Sequence, residues 1–139
     1  SGHHRPAAPP VPPPPPATAG SAVLVVEDEP ALATAVTDAL RDAGYQVAHA
    51  EDGQAGLERI RQDRFDLVIC DLKMPRLDGP AFFRVLSKEQ PGLARHVVFV
   101  TGDVAGTDAE RFLTESGCRW LPKPFRLTDL LRVTEDVLR

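Results

Sequence analysis

A chain of 139 residues with 42% hydrophobic and 26% charged residues has the length and balance of one globular domain. Its net charge of −4 argues against general polyanion affinity, so direct nucleic-acid binding is not expected, and no apolar run is long enough to suggest membrane contact. No charged–apolar–small pattern opens the chain, and Cys70 and Cys118 read as reduced structural thiols, which fits a cytoplasmic protein.

Residues 1–20 differ from the rest: they hold eight of the 14 prolines, five of them consecutive at 12–16, and have no apolar period. They read as a disordered or polyproline-II linker, ahead of the sharper reading as a ligand for a proline-binding module. Ser1-Gly2-His3-His4 is set aside as a remnant of expression. The folded domain is expected over 21–139.

Residues 22–26 form the first predicted strand. The acidic stretch Glu27-Asp28-Glu29 and Pro30 then open a helix with Leu32, Ala35, Val36, Ala39 and Leu40 as its apolar stripe, stopped at Gly44. A short strand over 46–49 follows. Asp52 is placed to cap a helix containing Ala55, Gly56, Leu57 and Ile60. Residues 65–70 are apolar and β-branched, end abruptly at Asp71, and read as a strand buried on both faces.

Asp78-Gly79 reads as turn chemistry, and Pro80 opens a third helix that points Phe82, Val85 and Leu86 inward and ends near Gln90-Pro91-Gly92. Residues 96–100 form the fourth strand, with Thr101-Gly102-Asp103 as its exit. A thin stripe of Ala109, Phe112 and Leu113 marks the fourth helix, and Arg119-Trp120-Leu121 a short fifth strand. The last helix carries Leu127, Leu130, Leu131, Thr134, Val137 and Leu138.

Five alternations of strand and helix predict an α/β fold, a parallel sheet covered by helices on both faces. Chemistry in such sheets collects beyond the carboxyl ends of the strands. Glu27-Asp28, Asp71, Thr101 and Lys123 all fall there. Converging carboxylates repel one another and call for a cation; oxygen ligands suit Mg²⁺, which leaves coordination positions for a phosphoryl oxygen. Asp71 can act as a nucleophile toward phosphorus, Lys123 can supply positive charge and the Thr101 hydroxyl a hydrogen bond.

At Val25-Val26-Glu27-Asp28, Ile69-Cys70-Asp71-Leu72-Lys73-Met74-Pro75, Leu77-Asp78-Gly79, Val100-Thr101-Gly102 and Lys123-Pro124-Phe125 the chain resembles the receiver domains of two-component response regulators, which are CheY-like. The resemblance covers residues 22–139. It implies a flavodoxin-like (βα)5 three-layer sandwich of strand order 2-1-3-4-5. It also implies that Asp71 is the phosphoacceptor and that its partner is a histidine kinase or histidine phosphotransfer domain. Mg²⁺ would be held by Asp28, Asp71, the Lys73 backbone carbonyl and, through water, Glu27. The Lys123-Pro124 bond is expected to be cis. Thr101 and Trp120 stand at the family's switch positions, with Trp120 in place of the usual Phe or Tyr. Turnover beyond self-phosphorylation and self-dephosphorylation is not implied.

Lys73 and Asp103 are expected to approach across the mouth of the site and slow water attack on the acyl phosphate. The readout is expected on the fourth helix, fifth strand and last helix, a surface that would also serve a homodimer. No effector domain is expected to follow the last helix, and the proline-rich lead-in favours the carboxyl-terminal receiver of a hybrid histidine kinase over a free-standing receiver. Other function classes fit these residues less well. A haloacid-dehalogenase-type phosphohydrolase wants an aspartate where Lys73 stands. A flavin or nucleotide binder wants a glycine-rich phosphate loop after the first strand, which is missing. A phosphorylation-independent interaction module has no need of the site residues. His49 and His96 lack metal-ligand spacing.

Overall fold

In the computed structural model, described for residues 17–102 and 108–139, the apolar runs pair as a five-stranded sheet. The strands are β1 (Ala22–Val26), β2 (Gln46–Ala50), β3 (Leu67–Asp71), β4 (Val97–Thr101) and β5 (Arg119–Pro122). Every pairing is parallel and the order is β2-β1-β3-β4-β5. The described helices are α1 (Pro30–Asp42), α2 (Gly53–Gln62), α3 (Gly79–Glu89), α4 (Pro91–Ala94), α5 (Asp108–Ser116) and α6 (Leu127–Leu138). This is the expected flavodoxin-like arrangement.

Alternation along the strands builds two cores. Val23, Val25, Leu67, Ile69, Val98 and Val100 pack with Val36 and Leu40 of α1 and Leu130 and Val133 of α6. Leu24, Val26, Val68, Cys70, Val97 and Phe99 pack on the other face, with Leu57, Ile60, Phe82, Leu86 and Leu113 of α2, α3 and α5. Phe83, Phe99 and Phe112 meet edge to face at 5.3–5.8 Å between ring centres, the geometry that the ring quadrupoles favour. Burial of the two cores is the main force that holds the sheet rigid. Both central strands β3 and β4 are buried along their whole length.

Local differences from the expected elements have local causes. The buried stripe of α1 is Ala33, Val36, Thr37 and Leu40, one position around from the predicted stripe, so that Ala35 is exposed. In an alanine-rich helix the apolar pattern leaves the rotation ambiguous, and Thr37 tolerates burial because its hydroxyl donates to the Thr34 carbonyl at 3.1 Å. Beyond α3, Pro91 starts the extra turn α4 rather than simply ending a helix. In α6, Val133 is buried and Leu127 is exposed. Gly44 ends α1 with φ +101°, as expected of a helix stop.

The hydrogen-bonded structure extends ahead of β1. The Thr18 and Tyr45 hydroxyls lie 2.7 Å apart, and the Gly20 amide donates to the Gly44 carbonyl at 2.9 Å.

Candidate functional site

β1, β3 and β4 end side by side, so residues distant in sequence meet at one edge of the sheet. Asp71 closes β3 and is 5% exposed, Thr101 closes β4 and is 1% exposed, and Glu27 follows β1 at 2%. Asp28 is exposed at the rim. One carboxylate oxygen from each of Glu27, Asp28 and Asp71 lies within 4.8 Å of the other two. Lys123, in the loop after β5, reaches back across the crevice. Its Nζ donates to Asp71 Oδ2 at 2.9 Å and lies 3.2 Å from Glu27 Oε1 and 3.8 Å from Glu29 Oε1. The Lys123 amide donates to the Thr101 carbonyl at 2.6 Å, which ties the β5 exit to the β4 end. The Lys123-Pro124 bond is cis.

The electrostatics follow from this crowding. Burial pushes the Glu27 carboxyl up to about 7; the Glu29 amide, donating at 3.1 Å, opposes that, the Asp71 charge adds to it and Lys123 pulls it back. Burial draws Lys123 down, but the hydrogen bond and charge of Asp71, with the charge of Glu27, carry it above its ordinary value. The ammonium is therefore fixed as a cation. Burial, then the charge of Asp71, push the Cys70 thiol well up, so it stays a neutral thiol.

Among the described residues, two polar atoms in the crevice have no well-formed hydrogen bond: Glu27 Oε1, which lies 3.2 Å from Lys123 Nζ, and Thr101 Oγ1. Buried polar groups are rarely left so. One ammonium faces several carboxylates, and the free oxygens are hard donors. The set fits a divalent ion such as Mg²⁺, which takes one or two carboxylates and keeps its waters.

A family model for the response regulator receiver domain matches residues 23–135. The chain belongs to that family. The receiver is 35% identical over 117 residues to the probable transcriptional regulatory protein TcrX of Mycobacterium tuberculosis, covering 84% of this chain and 49% of that one. It is 32% identical over 121 residues to the response regulator receiver protein CpdR of Brucella abortus, covering 84% and 95%. Among solved structures, the signal receiver domain of a signal transduction histidine kinase from Syntrophus aciditrophicus superposes with TM-score 0.77 at 28% identity, covering 86% and 90%. The chain spans about half or less of the length of the first curated relatives it matches. Receiver domains of this family serve phosphorylation-dependent signalling, generally bind Mg²⁺ at an acidic site, and interact with histidine kinases or phosphotransfer proteins.

Of the residues singled out in the receiver's sequence, Glu27, Asp28, Asp71, Thr101 and Lys123 come together in the crevice. Lys73 sits beside them, exposed, with its amide donating to Asp71 Oδ1 at 3.2 Å. Trp120 stands apart from that cluster. It is 37% exposed on the edge strand β5, in register with Phe99. Asp103 lies outside the described residues. Sequence reasoning gave Glu29 no site role beyond an acidic helix start, yet it approaches Lys123; its place two residues after Glu27 was the available signal. No described helix is long and apolar enough to cross a membrane.

Proposed function

We propose that Asp71 is the phosphoacceptor of this receiver and takes its phosphoryl group from a phosphohistidine of a histidine kinase or histidine phosphotransfer domain. The observation that carries the reading is the convergence at the end of a fully buried strand: Asp71, with Lys123 Nζ at 2.9 Å and the Glu27 and Asp28 oxygens alongside. A carboxylate oxygen of Asp71 attacks phosphorus, the P–N bond to the donor imidazole breaks with its electron pair going to that nitrogen, and the ring, already protonated on its other nitrogen, leaves as neutral imidazole. Glu27, Asp28, Asp71 and the Lys73 carbonyl would hold Mg²⁺, which supplies positive charge to the phosphoryl oxygens. Lys123 offers its ammonium to the charge that develops on the same oxygens. Thr101 brings a buried hydroxyl with no bond to give up.

We assign Thr101 and Trp120 to the switch. A threonine drawn toward the phosphate vacates space on the face of the sheet that Phe99 and Trp120 share in register, and the half-exposed indole has room to follow. The exposed Trp120 and Leu127 support a homodimer through α5, β5 and α6. The proline-rich sequence over residues 1–20 supports a tether to an upstream unit. We therefore read the 21–139 receiver as a domain of a cytoplasmic hybrid histidine kinase rather than a free-standing regulator.

The test is intact mass after incubation with Mg²⁺ and a small acyl phosphate, for the chain and for Asp71→Asn, with the fluorescence of the sole tryptophan followed in parallel. One phosphoryl adduct, absent from the variant and accompanied by a fluorescence change, is the expected result. If the small donor leaves no adduct, transfer from a phosphorylated histidine kinase decides. No adduct from either donor overturns the reading.

A further inference from the structure

The loop from β3 to α3, residues 72–78, carries Lys73 and closes on itself: the Gly79 amide donates to the Leu72 carbonyl and the Leu77 amide to the Pro75 carbonyl, both at 2.8 Å. In its middle, Arg76 has φ +66°. That left-handed conformation suits glycine and disfavours any side chain. What Arg76 gains in return lies across the loop. Its Nε is 3.2 Å from Asp52 Oδ2, in an ion pair whose arginine is 74% exposed and whose aspartate is 5% exposed.

Asp52 has two separate tasks. Its Oδ1 accepts the Ala55 amide at 2.8 Å and caps α2, which needs only one oxygen. Its Oδ2 is then a nearly buried anionic oxygen, and the guanidinium is its counter-charge. Next to it, a Cβ on Gly53 would lie 2.2 Å from the Leu77 carbonyl oxygen. The start of α2 and the 72–78 loop are thus in backbone contact, with the ion pair at their junction. At the other end of the same loop, the Lys73 amide bonds Asp71 Oδ1.

We propose that the Asp52–Arg76 ion pair is a positioning clamp for the phosphoacceptor site: it holds the 72–78 loop against α2 and so sets the Lys73 backbone beside Asp71. In its consequence for the metal the inference rests on the function proposed for Asp71 and the Lys73 carbonyl. Its hold on the loop stands independently of that function. Both residues are positioning residues that act through Lys73.

Arg76→Gly separates the clamp from a simple turn requirement, because glycine suits φ +66° yet removes the ion pair. Three quantities are measured on the full chain: Mg²⁺ affinity by calorimetric titration, amide hydrogen exchange at Lys73 and Leu77 without metal, and the melting temperature. Arg76→Gly is expected to weaken Mg²⁺ binding about tenfold, the low end for partners outside the ligand set. It should also speed exchange at Lys73 and move the melting temperature little. Asp52→Asn, which keeps an oxygen for the Ala55 amide, should lose a similar factor, and the double variant no more than either single one. Arg76→Lys should recover part of the loss.

An Arg76→Gly chain with wild-type Mg²⁺ affinity and wild-type exchange at Lys73 overturns the clamp, as do fully additive losses in the double variant. An unsubstituted chain that binds no Mg²⁺ sinks the proposed function instead. The exchange measurement then still decides the clamp: faster exchange at Lys73 in both Arg76→Gly and Asp52→Asn upholds it, and unchanged exchange in Asp52→Asn removes it, since glycine alone loosens a loop.

Discussion

The two ends of the sheet differ in how far their polar groups are paired. At the amino end most part-buried groups are paired, Arg59 Nε beside Ala22 and Phe65 being the exception among the described residues. The Ala22 amide donates to Asp66 Oδ2 at 2.8 Å, His96 Nδ1 lies 3.0 Å from the Asp66 carbonyl oxygen, and the Tyr45 hydroxyl meets Thr18. At the carboxyl end, Glu27 and Thr101 each leave an oxygen without a hydrogen bond, and one lysine faces three acidic side chains. Two of the three such orphaned side-chain atoms among the described residues lie in this crevice; the other is Arg59 Nε. The carboxyl end is held open at a cost in stability that the two apolar cores offset, and its groups are completed by what binds there.

The largest effect that tests this contrast is on chemistry. Asp71→Asn should abolish the phosphoryl adduct in intact mass while the chain stays folded, since the amide also removes a charge that crowds Glu27. An adduct that persists would place the acceptor elsewhere. Lys123→Ala should slow uptake from a small acyl phosphate by on the order of a hundredfold, the usual loss for one fixed donor to a developing charge. A rate within a factor of about two of the unsubstituted chain would remove Lys123 from the charge-neutralising role.

The next effect is a pH dependence. Glu27 is held near 7 against an ordinary 4.5, so between those values the folded, metal-free chain keeps a proton that the unfolded chain has released. The stability from this group is therefore fully present below about 4.5, declines as pH rises toward 7 and is flat above it. Mg²⁺ binds the ionised form, so affinity should be about tenfold weaker near pH 6 than near pH 8. Equal affinities would mean that Glu27 takes no part in metal binding.

The smallest effects sharpen the contrast in stability. Tyr45→Phe leaves the part-buried Thr18–Tyr45 pair without one member and should cost about 1 kcal/mol in denaturant unfolding, with Mg²⁺ binding untouched. Thr101→Val removes a hydroxyl that has no partner and should be neutral or slightly stabilising, yet slow phosphoryl uptake. If both variants lose the same stability, the two ends do not differ as described.

Much of the fold was legible because its signals are local. Apolar β-branched runs and helical period identify every strand and the longer helices, and abrupt ends of those runs place Glu27, Asp71 and Thr101 at one edge of the sheet. Element bounds shifted by a residue or two, as with β3 beginning at Leu67 rather than Phe65, because periodicity defines an interior better than an end. The buried stripe of α1 lies one position around from the one its apolar pattern predicts, because alanines on several sides of the helix make its faces alike.

The sequence by itself determined the order of elements, the alternation that sends Val25 to one core and Val26 to the other, and the residue types at the crevice. Only the tertiary structure decided which of those types touch. That Lys123 reaches Asp71 and Glu27, that Arg76 closes on Asp52, that Thr18 serves Tyr45 and that the Trp120 ring is left half in solvent are all contacts made by chain closure. The physical reason is range: period and capping act within a few residues, whereas a contact between residues 52 positions apart exists only once two cores have packed and brought the strand ends together.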